Sequence, residues 1–225
     1  MARNKEPWRR DRILDAALAL LAAGRTDQLR IADVAQAAGV SPASVHYHFG
    51  DLSSLVLAAM GQASDEMNRS RRDAIAALDD PAAKLRTLIA LGIPDVASPA
   101  LVMMYTAVGL MRVNAGAIQG GREHVKAQVA LYQSVIEQGI GSKVFRLDAD
   151  ATSIATTLVA IEDAFDLYLV LGIDPDGARG RSQAYAYAAS ALSFDLIGAL
   201  RKGKPSPGRQ PGGTEDQQAD SRKHA

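Results

Sequence analysis

Two short stretches carry side chains whose types and spacing suit specific chemistry. The first is residues 39–50, GVSPASVHYHFG, which crowds Ser41, Ser44, His46, Tyr47 and His48 onto one short predicted helix. These side chains are too polar for a core and too short for a charged solvent face. Ser and His hydrogen-bond base edges or phosphates, and Tyr47 can donate to a phosphate oxygen. Pro42 and Ala43 are small enough for close approach, and a helix N-terminus attracts phosphate. The major groove, about 12 Å wide, admits a single helix. Ser41, Pro42, Ala43, Ser44, His46, Tyr47 and His48 are therefore expected to touch duplex DNA. Metal binding fails on geometry: His46 and His48 lie two apart on a helix, so their side chains diverge by about 200°. No Cys or nearby carboxylate completes a ligand set. No metal and no cofactor are expected.

The second stretch is LVAIEDAFDLYLVLG, in which Glu162 and Asp166 share one face of an otherwise apolar helix. Buried carboxylates need partners. Arg112, an arginine of a second subunit, or a cationic ligand would each serve, with Tyr105, Tyr132 or Tyr168 adding cation–π contact; an exposed or interfacial face with no ligand role is the plainer alternative. As an acid–base pair the two carboxylates lack any nucleophile, phosphate loop or metal motif nearby, so no enzyme is expected. LVMMYTAVGLMR places Met103, Met104, Tyr105, Met111 and Arg112 in one mostly apolar helix. Methionines there either line a cavity or fill ordinary core. With Tyr132, Glu162 and Asp166 they make up the candidate pocket for a small molecule.

Helices must position all of these groups. The 225 residues are 48% hydrophobic and 22% charged, with Ala and Leu recurring throughout, a balance that favours packed helices. No strand run is convincing, and about nine helices are expected in an all-α fold. The first runs from about Trp8 to Ala23 with Ile13, Leu14, Ala17, Leu18 and Leu21 at helical spacing. The second covers Ile31–Ala38 and stops at Gly39. Ser41 caps the third, Pro42 takes its first position, and Val45 and Phe49 form its one apolar stripe. Two short helices joined by a Gly turn form a helix-turn-helix. Asp51 caps a long fourth helix, apolar at first and charged from SDEMNRSRRD onward, and Asp80-Pro81 opens a fifth that ends near Gly92. From Gly203 the chain is rich in Pro, Gly, Gln and charge, so a disordered tail is expected over 203–225.

The net charge of zero hides a basic start, where Arg3, Lys5, Arg9, Arg10 and Arg12 outnumber Glu6 and Asp11. There are no cysteines, which excludes disulfides and thiolate metal sites. No segment reaches the roughly 20 apolar residues needed to span a bilayer, and no signal-length stretch opens the chain. A cytoplasmic protein with no membrane partner is expected.

The stretch RDRILDAALALLAAGRTDQLRIADVAQAAGVSPASVHYHFGDLSSLVLAAM resembles the DNA-binding domain of TetR-family transcriptional regulators, carried by IADVAQAAGVS, VHYHF, Asp51 and Leu55. VIEQGIGSKVFRLDADATSIATTLVAIEDAFD is more weakly similar to the ligand domain of the branch that includes choline- and betaine-responsive repressors. The resemblance implies a three-helix reading domain over 1–50 and a larger helical ligand-binding and dimerisation domain over 51–202. It implies a homodimeric repressor that binds a palindromic operator through residues 42–49 and is released by a small-molecule effector. Two departures stand out. Arg30 occupies a capping position where the family usually has Thr or Ser, which makes it a candidate phosphate contact. Leu52 stands where the family usually has a backbone-binding Lys, a loss for which Arg9, Arg10 and Arg12 would compensate. The dimer surface is expected on the last two long helices, about 151–171 and 181–200, with Ala184, Ala188, Leu192 and Leu196 along it; packing of that stripe within the subunit is the alternative.

Overall fold

A computed structural model describes residues 7–23, 29–111, 115–146 and 150–193. Nine helices and no strand occur among them: α1 Pro7–Ala22, α2 Ile31–Ala38, α3 Pro42–Phe49, α4 Leu52–Ala76, α5 Pro81–Gly92, α6 Pro99–Met111, α7 Ala115–Gly141, α8 Ala151–Val170 and α9 Ala178–Ala191. The all-α reading holds. No described helix is long and apolar enough to cross a membrane. The tail expected over 203–225 lies outside the described residues.

Local chemistry sets the ends of these helices. The Ser41 hydroxyl accepts the Ser44 N–H at 3.2 Å, and Pro42 fills the next position, where a missing N–H costs nothing. Asp51 accepts the Ser54 N–H at 2.7 Å, and Asp80 and Asp150 each accept two N–H groups at the starts of α5 and α8. Gly39 adopts φ 63°, a left-handed conformation that closes α2 and turns the chain into α3. The last helix starts earlier than expected because Asp176 and Asp174 accept the N–H groups of Ala178 and Gly180. It runs to Ala191, with Ser193 beyond it at φ 44°, and the stretch 194–200 of the expected helix lies outside the described residues.

Two apolar cores result. The first joins Ile13, Leu14 and Leu21 of α1, Val34 and Ala38 of α2, Val45 of α3, Leu55 and Val56 of α4, and Met103 of α6. The second joins Ile75 at the far end of α4 with Leu85, Leu88 and Ile89 of α5, Val135 and Ile136 of α7, and Leu158 of α8. Packing therefore divides within α4, between Met60 and Ile75, whereas a boundary at residue 50 follows the chain's loop. That long helix is a shared strut.

The apolar stripe of α9 needs correction. Ala184, Ala188 and Leu192 are fully buried in the subunit's own second core, packed with α5 and α8, so they offer nothing to a partner. Leu196 lies outside the described residues. The exposed faces of the same two helices differ: Ala160, Ala164, Leu167 and Leu171 run along α8 and its end, and Ser182, Ala186 and Ser190 along α9.

Leu55 is the test of the first core, since it is fully buried where α4 meets α1. Leu55→Ala is expected to lower unfolding stability by about 2–5 kcal/mol in urea titration, the range for deleting a buried Leu.

Candidate nucleic-acid interface and ligand cavity

The third helix is turned as its single apolar stripe requires. Val45 is 0% exposed beneath it, Tyr47 is 56% exposed above, Ser41, Pro42, Ala43 and His46 face solvent, and Ser44 and His48 are half-buried. His46 Nδ1 donates to the Gly50 carbonyl at 2.7 Å, because a carbonyl can only accept; Nε2 is then left as the acceptor. The Tyr47 ring meets His48 edge-on at 5.3 Å, which braces the protruding phenol. These groups form one polar, small-residue surface on a rigid helix.

The basic residues around it divide into three roles. Arg10 lies over the Phe49 ring at 5.3 Å, which brings its charge to the end of α3, and Arg9 lies over Trp8 at 5.1 Å. Arg12 donates to the Ala38 carbonyl at 2.6 Å and so closes the C-terminus of α2. That bond uses one of its five N–H donors and ties the exposed guanidinium to the fold. Arg30 is exposed and makes no side-chain cap; its N–H is instead taken by Asp33 at 3.2 Å, leaving the guanidinium beside the start of α2. Leu52 packs against the first core, so that position makes apolar contact where a lysine would reach outward.

A second site lies in the larger domain. A cavity of about 680 Å³ opens between α4, α6, α7 and α8, walled by Met67, Leu101, Met104, Ile118 and Val125, with Tyr105, Gln128 and Asp166 as polar elements and Arg122, His124, Lys126 and Asp163 also lining it. A smaller one of about 260 Å³ shares Met104, Gly121 and His124 with it and reaches Ser64 and Asn68. Behind the larger cavity, Arg71 Nη1 pairs with Glu162 Oε2 at 3.3 Å, and the Tyr132 hydroxyl donates to Glu162 Oε1. Gly92 makes room for this: a Cβ there would stand 1.7 Å from Glu162 Oε1. Burial pushes the Glu162 carboxyl up to about 7 against the pull of Arg71 and Tyr132. Burial and then Glu162 push Asp166 up to about 8, opposed by Arg71. Asp166 Oδ1, Gln128 Oε1 and Asn68 Oδ1 are buried without a hydrogen-bond partner.

Residues 13–59 match the family model described as bacterial regulatory proteins, tetR family. Residues 13–59 carry the helix-turn-helix of TetR-family transcriptional regulators. The HTH-type transcriptional regulator BetI of Brucella canis is 28% identical over 207 residues, spanning 89% of this chain and 96% of that protein. Among solved structures, a TetR transcription regulator from Haloarcula marismortui superposes with a TM-score of 0.74 at 23% identity, covering 82% of this chain and 98% of that one. A putative regulator from Saccharomonospora viridis in complex with choline gives 0.67 at 22%, covering 80% and 94%. TetR-family proteins are DNA-binding regulators and not enzymes, and α2 and α3 are their DNA-binding helix-turn-helix.

Of the pocket residues expected from the sequence, Met104, Tyr105 and Asp166 line the cavity, while Tyr132 and Glu162 stand behind it. Met103 does not: it is buried in the first core, because adjacent residues on α6 project in different directions. Arg112 and the Met111 side chain lie outside what is described. The arginine paired with Glu162 is Arg71, which with Asn68 falls in the charged run SDEMNRSRRD and was not among the expected site residues; Gln128 and His124 were also missed. The available signal was spacing: Ser64, Asn68, Arg71 and Ile75 repeat on one face of α4 at intervals of four, three and four.

The raised carboxyls fix a pH dependence. Ordinary values are 3.8 for Asp166 and 4.5 for Glu162, so from about pH 4 to 8 the folded chain holds protons that the unfolded chain has released. Stability from these groups therefore falls as pH rises through that window. Asp166→Asn removes the larger shift. Its melting temperature relative to the native chain is expected to climb between pH 5 and 8; a constant difference across that range would show that Asp166 titrates normally.

Proposed function

We propose that the chain is a homodimeric, ligand-controlled repressor of transcription. Residues 1–50 are the reading head and 51–202 the ligand-binding and dimerisation domain, with α4 entering both cores. The observation that carries the reading is the turn of α3: Val45 sealed below it, and Ser41, Pro42, Ala43, Ser44, His46, Tyr47 and His48 presented above. Ser44, His46 and Tyr47 read base edges, while Arg9, Arg10 and Arg30 grip phosphates and take over from the missing lysine at Leu52. Two copies bind a palindrome whose half-sites stand about 34–36 Å apart, or a multiple of that, on bacterial DNA in the cytoplasm.

Dimerisation runs through the outer faces of α8 and α9. Leu167 and Leu171 are large apolar side chains left in solvent, and Ala160, Ala164 and Ala186 allow the helices of two subunits to approach closely. The effector occupies the cavity beside Tyr105 and Asp166. That the Saccharomonospora viridis neighbour was solved with choline supports a small-molecule role for this architecture. The route to DNA is α6, which sends Met103 into the reading head's core and lines the cavity with Met104 and Tyr105. An effector that prefers the arrangement with misplaced reading heads weakens DNA binding by that preference and no more.

Selection from a random duplex pool is expected to recover a palindrome bound in a salt-dependent manner; recovery of no preferred sequence would sink the reading. On the selected duplex, Tyr47→Ala and His46→Ala are each expected to weaken binding about tenfold or more, the loss of one specific contact, with the melting temperature unchanged for Tyr47→Ala. Leu167→Glu is expected to convert the dimer to monomer in sedimentation equilibrium, and a native chain that sediments as a monomer would end the dimer model.

A further inference from the structure

The chemical class of effector follows from the cavity wall, and this step rests on the cavity being the effector site. Around it, among the described residues, the buried charged groups are Arg71, Glu162 and Asp166. One cation faces two carboxylates. The ion pair at 3.3 Å matches Arg71 to Glu162, whose other oxygen takes the Tyr132 hydroxyl. Asp166, one turn further along α8 and 7% exposed, keeps Oδ1 unpartnered on the cavity wall. Gln128, 4% exposed, leaves Oε1 unpartnered on the same wall from α7. Unfilled buried acceptors are destabilising, and charge-assisted donors fill them best. In the empty cavity Asp166 relieves its charge by holding a proton, as its value of about 8 reflects.

A quaternary ammonium fits this wall poorly. It carries no N–H, would leave both acceptors unfilled, and depends on aromatic faces around it. Tyr105 and His124 are the aromatic rings in the cavity's described lining, the Tyr105 hydroxyl already donated to the Asp163 carbonyl at 2.6 Å. The chain's single Trp is Trp8, on α1. Beyond the acceptors the wall carries apolar Met67, Leu101, Met104, Ile118 and Val125, with half-buried His124 and the exposed Arg122, Lys126 and Asp163 also on it. We infer that the effector is a protonated primary or secondary amine on an apolar body, its N–H groups donated to Asp166 Oδ1 and Gln128 Oε1, and not a quaternary ammonium.

The probes are n-hexylammonium, n-hexyltrimethylammonium and 1-hexanol, titrated calorimetrically into the full chain at pH 7. Hexylammonium is expected to bind at least about tenfold more tightly than either analogue, the factor for one charge-assisted hydrogen bond. Asp166→Asn is expected to erase that preference while leaving hexanol binding unchanged. Gln128→Leu, which keeps the wall's volume, is expected to weaken hexylammonium alone and serves where the Asp166 variant is poorly folded. A quaternary probe that binds as tightly as the amine overturns the inference, as does a preference that survives both variants or a failure of all three probes to bind. Operator release is read separately. An amine preference with no release of the selected duplex retains the amine assignment and ends the ligand-controlled reading; equal binding of all probes with release does the reverse.

Discussion

A single buried guanidinium organises the larger domain. Arg71 is 4% exposed, and removing it would strand Glu162 without a counter-charge in a low-dielectric interior, a far larger loss than that of a surface pair. The pair also fixes geometry. Arg71 belongs to α4, Glu162 to α8 and Tyr132 to α7, so one cluster pins three helices at the depth where the cavity begins. Gly92 at the end of α5 completes the arrangement by leaving space that any larger residue would take from the carboxylate. Asp166 is then the remainder of the cluster: a second acid beside a cation already committed.

That cluster sits on the same helix as the reading head's core. Leu55 and Val56 at the start of α4 hold α1, while Arg71 and Ile75 near its end hold the ligand domain. Well-packed interiors transmit displacement because they are dense and shift between discrete arrangements. In the proposed reading, a change at the cavity that tilts α4 or α6 is passed on through Leu55 and Met103, which share a core with Val45 of α3. The reading surface itself has little freedom. Ser41 and Gly39 fix both sides of the turn, and Arg12 ties α1 to the end of α2.

How much of this was legible in the sequence follows from the range of each interaction. The ends of α2, α3 and α5 were readable because Gly39, Ser41-Pro42 and Asp80-Pro81 act on backbone within a few residues. The outward face of α3 was readable because Val45 and Phe49 leave only one orientation that buries them. The pairing of Glu162 and Asp166 was readable from helical periodicity, but its partner was not: Arg71 lies 91 residues away, inside a run whose other charges are exposed. The α9 stripe was ambiguous in principle, since Ala184, Ala188 and Leu192 show the same period whether they bury against α8 of their own subunit or of another. Met103 and Met104 make the same point at closest range, as neighbours in sequence that serve different cores.

The two halves of the molecule treat unmet polar groups differently. On the DNA side Ser41, Asp33, Arg12 and His46 Nδ1 all engage backbone, and Ser41, His46 and Tyr47 stand exposed to water, where a polar group costs little. In the ligand domain the unfilled acceptors Asp166 Oδ1 and Gln128 Oε1 are buried, where each lowers stability while it is empty. Local violations of packing rules of this kind mark functional sites. A ligand that fills them recovers that stability on binding. In the proposed reading an effector moves α4 and α6 only by the difference in its affinity for their two arrangements, to which these acceptors contribute where their filling differs between the two.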